Sequence, residues 1–359
     1  MRAGRVTAYG AVLGCALLAG GAADAGAGAA TEAYPPFGLA ESSGLAVSVL
    51  HDGIVWVVED SGEPPEDRPV IRAFDPAGTE VASVTLAGWN NRDTEALAMG
   101  PGPALWVADI GDNNAARESV VVHTFAEPVE LAATTLEPVS YRLRYPGGPV
   151  DAEALMVDPV DGRIYVASKS PVGDGGVFVA PEELVAGETH DLTLITNVPS
   201  WITDGSFTPD GEQLVLLRAL RSLTVDALVY DVTRPGAGVP ATFEQTGQIP
   251  LQRQAQPEML AITLDGSAVL VGSEGEDEPV FSVPISSAGS PPEATTTAPD
   301  QSETIDEPGA VTQPQESSDC ALSDPIGCLD EPTGWLAAAA VVIMGLMVVA
   351  LARLRRSHS

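Results

Sequence analysis

The chain has 359 residues, 45% of them hydrophobic, and sets 17 lysines and arginines against 50 aspartates and glutamates, a formal charge of −33 at pH 7. Such a surface repels phosphate backbones and anionic lipid headgroups, which excludes nucleic-acid binding, and it attracts cations. The apolar fraction suffices for a large core, although part of it lies in runs at the two chain ends.

Arg2 and Arg5 precede an apolar run from Ala8 to Ala19, followed by small residues with Ala-x-Ala cleavage options between Gly21 and Ala30. This is the pattern of a secretory signal peptide, and residues 1–30 are assigned to it. Cys15 offers lipoprotein attachment as an alternative, against which the continuation of the apolar run beyond it argues.

Residues 31–285 read as a repeat domain. Thr31–Gly38 contains Pro35-Pro36 and is expected as an edge strand. Five units then register on one apolar position, Leu45, Leu97, Leu155, Phe207 and Leu260, at intervals of 52, 58, 52 and 53 residues. A near-constant period of this kind indicates a repeat architecture. A turn follows in each unit, at Asp52-Gly53, Pro101-Gly102, Asp161-Gly162, Asp210-Gly211 and Asp265-Gly266, and Asp-Gly supplies the positive φ of a tight hairpin. Apolar second strands come next, Ile54–Val58, Leu105–Ala108, Ile164–Ala167, Leu214–Leu217 and Val269–Gly272, and third strands after them. The fifth unit lacks a fourth strand, and Thr31–Gly38 is free to supply it, as the closure of a propeller ring requires. No long helical period intervenes. The expected fold is all-β, a β-propeller of five blades, with six as the alternative if the long second interval hides another.

Residues 286–333 are rich in Pro, Ser, Thr and Glu and cannot bury a core, so they read as a disordered extracellular stalk. Cys320 and Cys328 within it are expected to form a local disulfide, with intermolecular pairing as the alternative. Gly334–Ala352 is nineteen residues without a charge, about 28 Å as a helix at ~1.5 Å per residue, enough for a transmembrane helix. Arg353, Arg355 and Arg356 follow, which makes residues 353–359 a cytoplasmic basic tail. The layout is that of a single-pass cell-membrane protein with the propeller outside. Asp330-Glu331-Pro332-Thr333-Gly334 lacks the leucine of a Leu-Pro-x-Thr-Gly wall-sorting signal.

In a propeller blade the start of strand one and the end of strand two share one rim of the central channel. Strand-one starts place Asp93, Glu95, Asp151, Glu153, Asp204, Gln256 and Glu258 there, with Glu41 and Ser43 in the first blade. Strand-two ends add Glu59, Asp60, Asp109, Asp112, Lys169, Arg218 and Glu274. Singly, such carboxylates commonly bind nearby backbone N–H groups. Crowded on one rim, they repel and call for a compensating cation. Calcium, a hard ion preferring oxygen ligands, fits Glu95, Glu153, Asp204 and Glu258; Lys169 and Arg218 serve instead or bind an anionic group. His51, His123, His190 and His358 show no metal-ligand spacing, and there is no Gly-x-Ser-x-Gly elbow, P-loop or dinucleotide fingerprint. Trp56, Trp106 and Tyr165, at equivalent strand-two positions, read as packing between blades and not as a sugar platform.

Asp93–Ala98 and the Asp-Ile-Gly-Asp-Asn loop at Asp109–Asn113, with Glu153-Ala-Leu155, Ser168-Lys169 and Thr203-Asp204, resemble a family of exported bacterial β-propellers over about Glu41 to Pro284. The chain is more distantly similar to phytase-like propellers, a resemblance that implies calcium-binding carboxylates and phosphoester hydrolysis. The expected function is a membrane-anchored extracellular propeller that binds a ligand or protein partner at its acidic rim, with calcium. The alternative is a calcium-dependent hydrolase of phosphate or carboxylic esters.

Overall fold

The computed structural model of the chain describes residues 30–60, 70–89, 91–220 and 224–289, all within one structural unit, Met1–Ala294. The signal peptide and stalk, apart from their junctions with the propeller, the Cys320 and Cys328 pair, the apolar segment 334–352 and the basic tail lie outside the described residues. Among the described residues no helix is long and apolar enough to cross a membrane.

Strand β1 (Thr31–Tyr34) ends at Pro35-Pro36, which have no N–H to offer a ladder. Blade one is β2 (Ser42–Val47), β3 (Val55–Glu59), β4 (Val70–Phe74) and β5 (Glu80–Leu86). Blade two has β6 (Thr94–Met99), β7 (Ala104–Asp109) and β8 (Val120–Ala126), then, after an excursion through β9 (Ala133–Leu136), β10 (Val139–Arg144). Blade three has β11 (Ala152–Val157), β12 (Ile164–Ser168) and β13 (Gly175–Val179), an excursion through β14 (Thr189–Asp191), and β15 (Thr193–Val198). Blade four is β16 (Ile202–Phe207), β17 (Gln213–Leu220), β18 (Thr224–Thr233) and β19 (Thr242–Pro250). Blade five contributes β20 (Pro257–Ile262), β21 (Ala268–Ser273) and β22 (Val280–Pro284).

The fourth strand of blade five is β1, antiparallel to β22 with Thr31 opposite Ser282, so the chain closes its own ring. Among the described residues the sheets number five. The long second interval holds no sixth blade; it holds β9, which runs parallel to β5 with Ser83 opposite Ala133. Likewise β14 lies parallel to β10, Arg142 opposite Thr189. Each excursion extends the preceding blade by one strand.

Strand pairing corrects the repeat register in blade four. Leu45, Leu97, Leu155 and Leu260 face Val57, Val107, Val166 and Val271, and the residue in that position of blade four is Gly205, facing Leu216, with Phe207 two residues further on. Strand alternation repeats every two residues, so a slip of two keeps the buried face and escapes the hydrophobic pattern. Space dictates the glycine: a Cβ there would lie 2.7 Å from Leu216 Cδ2 and 2.9 Å from Met156 Sδ.

The core is distributed over the interfaces between adjacent blades. Trp56, Ile71 and Val84 of blade one pack on Leu97 and Leu105 of blade two, and the ring ends with Met259 and Leu270 of blade five against Leu45 and Val57. Trp56 and Tyr165 are fully buried in such interfaces. The Trp56 indole N–H donates to Glu127 Oε1 at 2.8 Å and the Tyr165 hydroxyl accepts from Ala241 N at 3.0 Å. Gly53, Gly162, Gly211 and Gly266 turn the inner hairpins at φ of 73°, 74°, 74° and 70°, values a residue with a Cβ rarely adopts.

Candidate cation site at the channel rim

Every first strand carries a β-bulge near its start, where one residue has no partner on the second strand. Those residues are Ser43, Glu95, Glu153, Thr203 and Glu258. A bulge re-aims its side chain, and five repeats of it build one ring at the end of the channel. Glu95, Glu153 and Glu258, from three blades, are all buried and each offers an oxygen within 4.8 Å of the others. Ser43 Oγ donates to Glu95 O and shares a 3.1 Å contact with Glu95 Oε2, and Thr203 Oγ1 donates to Pro257 O at 2.8 Å.

One ammonium enters this ring. Lys169, the only lysine in the sequence, places Nζ 2.5 Å from Glu153 Oε1 and 3.5 Å from Glu258 Oε1. Burial works against its charge, but Glu153, Glu258 and Glu95 prevail and hold it above the usual lysine range. Burial raises Glu153 against the pull of Lys169, and raises Glu95 further with the repulsion of Glu153 and Asp60. The second oxygen of Glu153 is buried without a hydrogen-bond partner. Glu274 stands beside Glu258, and burial together with its hydrogen bond to Glu258 holds its carboxyl well above the carboxylate range. Gln256 Nε2 donates to Glu258 Oε1 at 3.1 Å.

A second set, Asp60, Asp93 and Glu95, shares Glu95 with the first and has the same 4.8 Å closeness. Asp93 is lifted to about 6 by burial and by Asp60 and Asp151, against the pull of Arg117. The two sets close over Gly111. A Cβ there would collide with Glu95 Oε1 and lie 2.6 Å from Asp93 Cγ, so the glycine of the Asp-Ile-Gly-Asp-Asn loop is the floor on which two carboxylates rest.

The remaining acids of that loop hold it in place. Asp109 accepts from Trp89 Nε1 at 3.2 Å and Asp93 N at 3.2 Å, and pairs with Arg117 Nη1 at 2.7 Å with both side chains buried. Asp112 accepts from the amides of Ala116 and Arg117 at 2.9 and 2.8 Å, while its own N–H donates to Asp151 Oδ1 at 2.8 Å. Arg218 is engaged by Asp226 through two contacts of 2.9 and 2.5 Å. Asp204 lies one residue beyond the ring, in the position held by Gly44, Ala96, Ala154 and Met259. It is fully buried and accepts from Gly205 N at 2.7 Å and Leu260 N at 2.6 Å, which ties blade four to blade five. The geometry thus brings Glu95, Glu153, Glu258 and Lys169 together, gives the ring position of blade four to Thr203, and sets Asp204 apart from the three-carboxylate cluster.

Beside Lys169 opens a pocket of about 370 Å³ lined by Trp201, Thr203, Ala219, Gln256 and Glu258. Trp201 has φ of 66°, a left-handed conformation that costs a bulky residue roughly 1–3 kcal/mol. Two backbone bonds hold it there, Trp201 N to Lys169 O at 2.6 Å and Ala219 N to Trp201 O at 3.0 Å. Nothing in a local sequence pattern marks this residue, because its conformation is set by partners from other strands.

No family model matches the sequence, and no curated relative matches it. Solved structures align with the chain at low identity. A putative oxidoreductase (glucose dehydrogenase) from Thermus thermophilus is 13% identical over 71% of this chain and 99% of its own, with a TM-score of 0.41. The soluble aldose sugar dehydrogenase from Escherichia coli gives 10%, 71%, 98% and 0.42, and a gluconolactonase from Xanthomonas campestris gives 12%, 71%, 89% and 0.37. At such values the likeness carries no argument about this chain's chemistry, and the five-bladed architecture rests on its own strand pairing.

Proposed function

We propose that the chain is a membrane-anchored, extracellular propeller that binds a ligand or partner at its acidic rim through a divalent cation, calcium, held by Glu95, Glu153 and Glu258. The observation that carries this reading is Glu153 Oε2, a buried carboxylate oxygen with no partner inside a cluster of three carboxylates. An unpaired buried oxygen is costly, and a cation in the cluster would pair it. The donors are all hard oxygens, the set calcium takes. Three carboxylates and one ammonium leave two negative charges, which a divalent ion neutralises. Burial and repulsion raise Glu95 and Glu153, so ion binding, which needs both ionised, should be favoured by rising pH. The anchor and the outward orientation rest on the sequence of residues 334–359, and the acidic surface argues against nucleic acid as a partner.

The test is a calcium titration of the purified protein read by melting temperature, with magnesium alongside and with Glu153→Gln as the control. An ion that binds only the folded state stabilises it by about 2.7 kcal/mol at a hundredfold excess over Kd. The response should shrink in Glu153→Gln, and a melting temperature indifferent to calcium and to chelator would sink the reading.

A second reading, a calcium-dependent hydrolase of phosphate or carboxylic esters, is favoured by Asp93, a carboxyl brought to about 6 and therefore suited to act as a general base near neutral pH. Release of nitrophenol from its phosphate and acetate esters, lost on chelation and in Asp93→Asn, would establish it.

A further inference from the structure

The channel changes character along its length. At the end opposite the carboxylates, the first strands of all five blades enclose a cavity of about 460 Å³, lined by residues such as Leu45, Met99, Leu155, Phe207, Leu260 and Ile262. The hydroxyls in its lining are spent on the protein: Ser206 Oγ donates to Phe207 O at 3.2 Å, and Thr208 Oγ1 donates to Asp210 Oδ1 at 2.6 Å. Among the described residues no charged side chain lines it.

Its mouth is a repeated feature. Four residues beyond the registered position, every blade places an apolar side chain in the lining, Val49, Pro101, Pro159, Pro209 and Leu264. Leu50 and Leu264 are 44% and 51% exposed there. Exposed apolar surface surrounding a concavity marks a binding site. The same turns carry Asp52, Asp161, Asp210 and Asp265, all exposed, within three residues of the lining side chains Val49, Pro159, Pro209 and Leu264. Hydrogen bonds from Thr208 and the Glu212 amide hold Asp210 below the usual range, and those from Thr263 and Ser267 bring Asp265 to about 2. The nearby guanidinium groups of Arg163 and Arg234 are engaged, by Glu182 at 3.1 Å and Asp158 at 2.8 Å.

We propose that this cavity is a second binding site, for a small apolar molecule bearing one positive charge, its hydrocarbon body inside the channel and its ammonium among the turn carboxylates. The apolar lining selects the body. The carboxylate surround selects the sign of the head and disfavours a fatty acid or any other anionic amphiphile.

Three compounds with one hydrocarbon cage test this: 1-adamantylamine, 1-adamantanol and 1-adamantanecarboxylate, with binding followed by ligand-observed NMR on the full-length protein in lipid nanodiscs, against empty discs. The amine should bind, about tenfold tighter than the carboxylate at low salt, with the gap narrowing at high salt. Ala98→Trp, which fills the cavity, should abolish binding. The double variant Leu50→Ser/Leu264→Ser, confined to exposed positions, should weaken it about tenfold and keeps the test valid if the tryptophan prevents folding. Glu153→Gln, at the other end of the channel, should leave it unchanged. The proposal is overturned if the amine does not bind, if amine and carboxylate bind equally, if Glu153→Gln removes binding while the mouth variants keep it, or if sedimentation shows a self-associated protein that Leu264→Ser dissociates and the amine does not.

Discussion

Lys169 Nζ lies 2.5 Å from one oxygen of Glu153 while the other oxygen of the same carboxylate is buried without a partner. The pair is half satisfied. Glu153 is 1% exposed, so bulk solvent does not reach it, and the lysine divides itself between Glu153 Oε1 and Glu258 Oε1. Lys169 therefore acts as an internal cation that neutralises part of the ring and leaves Glu153 Oε2 unpaired.

Removing that internal cation gives opposite signs for stability and for ion binding. Lys169→Met keeps the length of the side chain and deletes the ammonium, leaving Glu153 and Glu258 facing Glu95 without compensation. Breaking a buried pair costs about 3–5 kcal/mol when the remaining charge must stay, and less where a carboxyl can take a proton instead. The variant is thus expected to be destabilised most at alkaline pH and least near pH 5 in urea denaturation. Calcium should restore more stability to it than to the parent, since the ion no longer competes with an ammonium. An equal or smaller calcium response in Lys169→Met would show that the ion binds elsewhere.

The pH profile of the parent follows from the direction of the shifts. Burial and mutual repulsion raise Glu95, Glu153 and Glu274 above their ordinary values, and Asp93 stands at about 6. A carboxyl whose folded pKa exceeds its unfolded one binds more protons in the native state, so stability falls as pH rises between the two values. For Asp93 the window runs from about pH 4 to 6, and for the other three it extends upward from their ordinary values near 4.5. Lys169, raised, contributes no slope until strongly alkaline pH. The domain is expected to melt at a higher temperature at pH 5 than at pH 8, and saturating calcium should flatten the difference by displacing the same protons. Burial lowers His123 to about 4, which works the other way as pH falls below its ordinary 6.5, one group against four; melting curves across this range check the balance, and stability that climbs from pH 5 to 8 without calcium would show that the carboxyls do not prevail.

Gly111→Ala tests the floor of the site without altering any charge. Its Cβ has no room beside Glu95 Oε1 and the Asp93 carboxyl, and both must move. Overpacking of this kind costs about 1–3 kcal/mol. The calcium-induced rise in melting temperature should fall by at least half, because Glu95 belongs to both carboxylate sets. A full calcium response with merely lower stability would mean that neither Asp93 nor Glu95 contributes to binding.

Much of this site was legible in the sequence because its residues break strand logic in the same place. Glu95, Glu153 and Glu258 are charged residues at the starts of strands otherwise buried, and a lone lysine among acids identifies its own partners. The expected metal set also includes Asp204, the only carboxyl in Thr203-Asp204-Gly205; strand pairing gives the ring position of blade four to Thr203, one residue earlier, a placement that residue type does not mark. The five blades and the ring closure by Thr31–Tyr34 were readable from the period and from the missing fourth strand. β9 and β14 were not, since strands of three or four residues such as Ala133–Leu136 are too short to show a period in the sequence and pair with the open edge of a neighbouring blade. Gly111 and Trp201 depend on what approaches them across the fold, which spacing along the chain does not encode.

Asp204 and Glu153 allow the decisive comparison, because both are buried carboxyls in first strands and the structure gives them different work. Asp204 spends its oxygens on the amides of Gly205 and Leu260. In Asp204→Asn the amide oxygen keeps one of these bonds, and its NH₂ group must face the other N–H, donor against donor. An unsatisfied buried donor costs about 1–3 kcal/mol, so the variant should lose stability at every pH where the parent is folded. Its calcium response should match that of the parent, since no oxygen of the three-carboxylate cluster has changed. Glu153→Gln differs in the calcium response, which should fall because a carboxylate of the cluster is gone; without calcium it loses one unit of repulsion toward Glu95 and Glu258 but also the nearest partner of Lys169, which keeps Glu258. Denaturation with and without calcium on both variants distinguishes the two roles. If Asp204→Asn lost the calcium response and Glu153→Gln kept it, the cation site would belong to the aspartate and the ring of bulged residues would be structural only.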